Sequence, residues 1–489
     1  MTPARRVTLW AAPLLAFTLV ALAKTADADT LVMGLEPDAL VVLGITIWMA
    51  AWWITECVPV GATALIPLAA FPFFAVVPMG AIVTPYMNPF IVLLMTGFMA
   101  ALAIERWGLH KRLALTVLFA IGTSPKRLVL AMMLVTAFSS MWISNTASTL
   151  IMLPIGMALL NQLEDAGAEP AVVRHLGVAV FLGVAYSASI GGLATPIGTP
   201  PNLIFLGVYE QTFGTAPSFA EWMAWGLPLV VIGLPLLFLY LTSVGPKLPK
   251  HLPGGSREDL RRQLRALGPM SSDERSVALV FGTMVVLWIT GEIRVGDDTW
   301  GWAPLLGLSD HVHESTVAVL GVLALFVIPA RTKPGERVLD WPTATRIPWD
   351  VVLLFGGGLA LAHAFNASGL SQALSEQLTG LADLPEPLLI LSICLSVTFL
   401  TEVTSNTATT SILMPILATF AVSSGLDPIK VMLPAVFSAS CAFMLPVATA
   451  PNAIVYGTRR ITIAQMARKG FMVNISGAVI ITLFVWLAL

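Results

Sequence analysis

Long apolar stretches dominate the chain, and short polar ones interrupt them. Runs near 7–23, 38–56, 62–78, 88–104, 174–208, 222–243, 274–292, 315–329, 350–367, 428–457 and 470–488 carry few charges. A helix needs roughly twenty such residues to cross the hydrocarbon core of a bilayer. Two further stretches, about 127–160 and 388–423, are each long enough for two short helices and carry hydroxyl and amide residues at their centres. The bilayer offers a broken backbone no water, so a break is tolerated only where protein buries it or where it lines a wet cavity. Each stretch therefore reads as a re-entrant hairpin, entering and leaving on one side. The pattern predicts an all-α polytopic membrane protein with about 11 transmembrane helices plus two re-entrant hairpins.

The polar interruptions come in pairs. Ser144-Asn145-Thr146-Ala147 recurs 261 residues later as Ser405-Asn406-Thr407-Ala408, each followed at the same distance by a proline, Pro154 and Pro415. Ala194-Thr195-Pro196-Ile197-Gly198-Thr199-Pro200-Pro201-Asn202 is echoed 250 residues later by Met444-Leu445-Pro446-Val447-Ala448-Thr449-Ala450-Pro451-Asn452. The segment 91–109 likewise resembles 351–370, and Trp53-Ile54-Thr55 and Trp288-Ile289-Thr290 mark the start of each copy. The repeats divide the chain into a first span with its loop (1–37), a first copy (38–243, hairpin about 127–160), a connector (244–273) and a second copy (274–489, hairpin about 388–423). Each copy holds five spans and one hairpin. Five is odd, so the second copy enters the membrane upside down. Inverted repeats whose broken helices meet at mid-membrane are a secondary-transporter architecture.

Charge fixes the orientation. Arg5 and Arg6, the residues from His110 to Arg127, from Lys247 to Arg275, from Arg331 to Arg346 and from Arg459 to Lys469 fall on one face if each hairpin returns to the side it left. The opposite loops hold Asp27, Asp29, Glu36, Asp38, Asp297, Asp298, Asp310, Glu376, Asp383 and Glu386. The positive-inside rule then places the N-terminus in the cytoplasm and the C-terminus outside, in an integral protein of a bacterial inner (plasma) membrane. The stretch 7–23 reads as a retained first span rather than a signal peptide, because the topology closes with it. With 57 % hydrophobic and 11 % charged residues the chain is unlike a soluble protein, whose charged share is about a quarter. A net charge of −2 points to no nucleic-acid partner. Cys57, Cys394 and Cys441 are too scattered for a disulfide framework or a zinc site. The connector reads as a solvated amphipathic helix.

A helix broken at mid-membrane exposes N–H groups at one end and carbonyls at the other. The N–H groups, with Ser, Thr and Asn donors, can receive a carboxylate; carbonyl and side-chain oxygens can hold a small hard cation such as Na+. Gly198 and Ala448 sit where a larger side chain would block close backbone approach. No Lys or Arg lies in the four motifs, so a bound anion would need a co-bound cation to offset its charge. One such motif alone reads better as helix capping, whereas two pairs in register across a duplication favour binding. Glu56 and Glu402 read as deep carboxylates; Glu402 is expected to orient its neighbours by hydrogen bonds rather than to carry a proton or cation. No histidine accompanies the motifs as a base, so the chain is not read as an enzyme.

In these residues the sequence resembles the divalent anion/sodium symporter family of sodium-coupled dicarboxylate and citrate carriers. WWITECVPVGATALIPL, both SNTA tips, both Thr-Pro stretches and IPWDVVLLFGGG carry the likeness. The resemblance implies a homodimer in the lipid bilayer, with a scaffold (second to fourth and seventh to ninth spans) and a transport part that moves like an elevator. It implies one Na+ site from Ser140, Ser144, Asn145 and backbone near Gly198, and a twin from Thr401, Ser405, Asn406 and backbone near Ala448. The dicarboxylate would meet Ser144, Asn145, Thr146 and Thr199 from one copy and Ser405, Asn406, Thr407 and Thr449 from the other. Ala450 departs from the proline of the first copy, Pro200. The expected function is Na+-coupled symport of C4-dicarboxylates such as succinate, malate or fumarate, with no cofactor beyond the coupling Na+. The alternatives are Na+-independent exchange of the same acids, or carriage of citrate or sulfate.

Overall fold

A computed structural model describes residues 3–25, 31, 34–122, 124–165, 167–243, 256–296 and 298–489. Asp27, Asp29, Lys247, Lys250 and Asp297 of the charge pattern lie outside them. Helix α1 (Pro3–Thr25) packs along α2 (Pro37–Thr55), the first helix of the first copy. Short pieces follow, α3 (Val60–Thr63), α4 (Ile66–Phe73) and α5 (Met79–Val83), then α6 (Pro89–Arg106) and α7 (Leu109–Ile121). The hairpin arms are α8 (Pro125–Ser140) and α9 (Asn145–Asp165), and α10 (Pro170–Gly191), α11 (Pro200–Phe213) and α12 (Phe219–Ser243) complete the copy. Several of these helices start with proline, whose missing N–H is harmless in a first turn and whose fixed φ suits it.

After α13 (Ser256–Ala266) in the connector, the second copy repeats the order. It runs α14 (Ser272–Ile289), the antiparallel strands Ile293–Val295 and Asp298–Trp300, α15 (Trp302–Leu305), α16 (Glu314–Val327), α17 (Trp341–Ala344) and α18 (Trp349–Ala367). Then come α19 (Leu370–Ala382), hairpin arms α20 (Glu386–Thr401) and α21 (Asn406–Ser424), the pair α22 (Pro428–Ala439) and α23 (Ala450–Gly457), and α24 (Ile463–Ala488). Capping boxes at Ser271/Glu274 and Thr462/Gln465 start α14 and α24.

Among the described residues nine helices are long and apolar enough to cross a membrane. Outward side chains on these helices are apolar, among them Leu14, Phe17, Val231, Leu239, Met472 and Leu487, as lipid requires. The protein is an integral membrane protein. Each half-helix of one copy leans on the hairpin of the other: α11 packs on α21, and α23 on α9.

Four expectations need correcting. The stretches 174–208 and 428–457 are not single spans; each is a helix, an unwound segment and a half-helix (α10 and α11, α22 and α23). The stretch 62–78 is likewise split between α3 and α4 by Ala64 and Leu65. Hydropathy also missed α7 and α19, which precede the hairpins at equivalent places in the two copies. Glu56 is not deep: it is an exposed C-cap of α2 with φ 47°, and Arg5 lies 3.7 Å away.

Candidate functional site

The tip of each hairpin is made by the residues that start its second arm. Ser144 precedes α9 and its Oγ accepts from the Ala147 N–H at 3.2 Å; Ser405 is the N-cap of α21. Thr199 and Thr449 are the N-caps of half-helices α11 and α23, and the Thr449 hydroxyl accepts from the Asn452 N–H at 3.3 Å. All four helix starts meet at one cavity of about 850 Å³. It is lined by Ser144, Asn145 and Thr146, by Gly198 and Thr199, by Ser405, Asn406 and Thr407, and by Ala448 and Thr449. Four N-termini aimed at one space give a positive field without a cationic side chain at the tips.

Ser140 and Thr401 lie behind the lining, fully buried. The Ser140 hydroxyl donates to Asn145 Oδ1 at 2.5 Å, and the Thr401 hydroxyl donates to Asn406 Oδ1 at 2.6 Å. Each asparagine oxygen is thereby tethered from behind, and both residues line the cavity. In the first copy a methyl on Gly192 would stand 3.0 Å from Asn145 Oδ1 and 3.2 Å from the Gly198 carbonyl. The two oxygens thus face one point over a residue with no side chain. At Gly198 itself a Cβ would come within 2.5 Å of the Gly192 carbonyl, so only glycine fits. The second copy places Ala442 and Ala448 at these two positions, so its break tolerates methyl groups that the first does not.

Sequence reading missed what holds the breaks open. Asn202 Nδ2 donates to the carbonyls of Gly192 at 2.9 Å and Thr195 at 2.8 Å; Asn452 Nδ2 donates to those of Ala442 at 3.0 Å and Leu445 at 3.1 Å. The signal was available, because both asparagines close the repeated Thr-Pro stretches. Glu402 is buried and accepts from the N–H groups of Phe443, Met444 and Leu445 at 2.7, 2.8 and 3.0 Å and from Asn474 Nδ2 at 2.7 Å. It clamps the unwound segment after α22 to α20 and α24. The first copy has Met141 at this place, and there the Thr195 hydroxyl donates to the Met141 carbonyl at 2.5 Å. Arg5, His110 and Arg346 also line the cavity, together with Glu56 and Glu105.

Comparison with known proteins gives the family and the fold. The family described as sodium:sulfate symporter transmembrane region matches residues 14–489. The sodium-dependent dicarboxylate transporter SdcS of Staphylococcus saprophyticus is 42 % identical over 458 residues, 93 % of this chain and 86 % of the relative. SdcS of Staphylococcus aureus strain RF122 is 42 % identical over 454 residues, 92 % of this chain and 86 % of the relative. The crystal structure of the Alcanivorax borkumensis YdaH transporter is similar in fold, with a TM-score of 0.57 at 13 % identity, covering 92 % of this chain and 99 % of that one. Continuous from α1 to α24, the match makes this chain a transporter of the sodium:sulfate symporter family rather than an enzyme.

Proposed function

We propose that the protein is a Na+-coupled symporter of C4-dicarboxylates such as succinate, malate or fumarate, working by an elevator movement. The observation that carries this is the meeting of four helix starts, each led by a serine or threonine, at one cavity with tethered asparagine oxygens beside it. One carboxylate is received by Ser144, Asn145, Thr146 and Thr199, the other by Ser405, Asn406, Thr407 and Thr449. One Na+ sits among Ser140, Ser144, Asn145 and the Gly198 backbone. A second sits among Thr401, Ser405, Asn406 and the Ala448 backbone. Two such cations offset the two negative charges of succinate, which buried neutral donors alone do not. The names of the staphylococcal relatives support the choice of ion and acid.

The transport part comprises the hairpins with α10–α12 and α22–α24; the scaffold comprises α2–α6 and α14–α18 and carries the contact of a homodimer. The copies divide at 38–243 and 274–489. The N-terminus is cytoplasmic and the C-terminus outside, in a bacterial inner membrane, and on that orientation the cavity opens inward. Uptake of labelled succinate into proteoliposomes is the test: it should require a Na+ gradient and fall to background when choline replaces Na+. Unchanged uptake in choline would sink the symport reading in favour of exchange. The family description names sulfate, so the same vesicles should be challenged with sulfate and citrate; stronger competition by either than by malate would replace the substrate.

A further inference from the structure

We propose that the protein binds one anionic phospholipid of the leaflet on its basic side, headgroup between α10 and α24 and acyl chain between α12 and α24. A cavity of about 960 Å³ is lined by Arg174 and His175 of α10, Tyr240 of α12, and Gln465, Arg468 and Lys469 of α24. No carboxylate lines it. Lys469 Nζ stands 4.6 Å over the Tyr240 ring, which fixes the ammonium at the rim. His175 is only 9 % exposed, and its Nε2 has no hydrogen-bond partner. With its proton on Nε2 this ring is a buried donor left unmatched, a loss that a phosphate oxygen would recover.

A second, apolar crevice of about 240 Å³ is lined by Leu229, Gly233 and Leu237 of α12 and by Val473, Gly477 and Ile480 of α24. Tyr240 and Met472 line both spaces, so the crevice continues the basic cavity toward the membrane interior. From Lys469 to Ile480 along α24 is about 16 Å at the α-helical rise, close to one leaflet of hydrocarbon. Gly233 and Gly477 leave room for a methylene chain, and the exposed side chains of Leu236 and Met472 open the crevice to lipid. Charge at the mouth, apolar walls and this length fit a phospholipid with a net negative headgroup. A free phosphate would use only the basic cavity. At its inner end the crevice reaches Phe443, whose N–H is held by Glu402. The chain end therefore packs behind the segment that carries Ala448 and Thr449.

Native mass spectrometry of the purified full chain tests this without reference to the transported ion. Palmitoyl-oleoyl-phosphatidylglycerol should be retained at one copy per chain, and the phosphatidylcholine of the same chains should not. Arg174→Gln with Arg468→Gln should lower phosphatidylglycerol retention by about fivefold per cation removed. Gly233→Leu should lower it without touching a charge, and thermal melting of each variant checks its fold. Equal retention of the two lipids, or retention unchanged in both variants, overturns the proposal. Displacement of the lipid by millimolar inorganic phosphate, with Gly233→Leu inert, would make the cavity a soluble-anion site and overturn it too.

Discussion

At Asn145 and Asn406 the side-chain oxygen is tethered from behind by a hydroxyl, and the residue lines the cavity. The backbone carbonyls of the same residues accept from Thr149 and Thr410, both at 2.8 Å, so the first turns of α9 and α21 are fixed as well. Asn145→Ala and Asn406→Ala should each reduce succinate uptake to background while thermal melting stays near that of the parent; normal uptake by either would remove the residue from the site. Thr401→Val keeps the volume and removes the tether, and it should raise the Na+ concentration for half-maximal uptake more than the succinate KM. Glu402→Gln substitutes a donor where four donors converge. Given the strength of hydrogen bonds to a charged acceptor, a loss of about 2–3 kcal/mol of stability is expected, read as a lowered melting temperature in detergent. The tips were legible in sequence because their chemistry is contiguous and doubled. The Glu402 clamp was legible only as a deep, orienting carboxylate, because Asn474 lies far along the chain and Met141, its positional twin, is apolar.

Helices are where sequence reading fell short, and for a physical reason. Mean hydropathy sees apolar composition, not the hydrogen-bond pattern, so Gly192–Thr199 and Ser440–Thr449 read as continuous span although Asn202 and Asn452 supply donors that replace the helical ones. Gly198→Ala sets a methyl 2.5 Å from the Gly192 carbonyl, and uptake should fall at least tenfold; the equivalent alanine at position 448 is native. The Gly-rich run of α18 meets both parts of the molecule: a Cβ at Gly357 would lie 2.8 Å from Ala64, and one at Gly358 2.5 Å from Ser411 Oγ of the second hairpin. On the proposed division into scaffold and transport part, Gly358→Leu should stop transport by wedging one against the other. Outside the membrane the end of α6 is held by Arg106, whose guanidinium reaches Glu336 at 2.5 Å and Asp340 at 2.7 Å. The Thr343 hydroxyl and N–H, with Arg106, hold the Asp340 carboxyl below its usual range. Its folded pKa is thus lower than its unfolded one, so the stabilisation is present at neutral pH and disappears as pH falls through about 4 and below. Asp340→Asn should melt earlier than the parent at pH 7, and the gap should close in acid.

On the scale of the molecule the duplication is legible because the second copy keeps both motifs in register, and an odd number of spans in each copy implies inversion. What no repeat spacing reveals is that the copies interlock, α11 resting on α21 and α23 on α9. That crossing makes biogenesis a waiting problem. The first copy leaves the ribosome with an unwound stretch and a short helix whose support, α21, ends only at Ser424. Until then α11 lacks its final neighbour. A nascent chain stopped before the second hairpin should accordingly be prey to membrane proteases even though every helix of its own copy is complete.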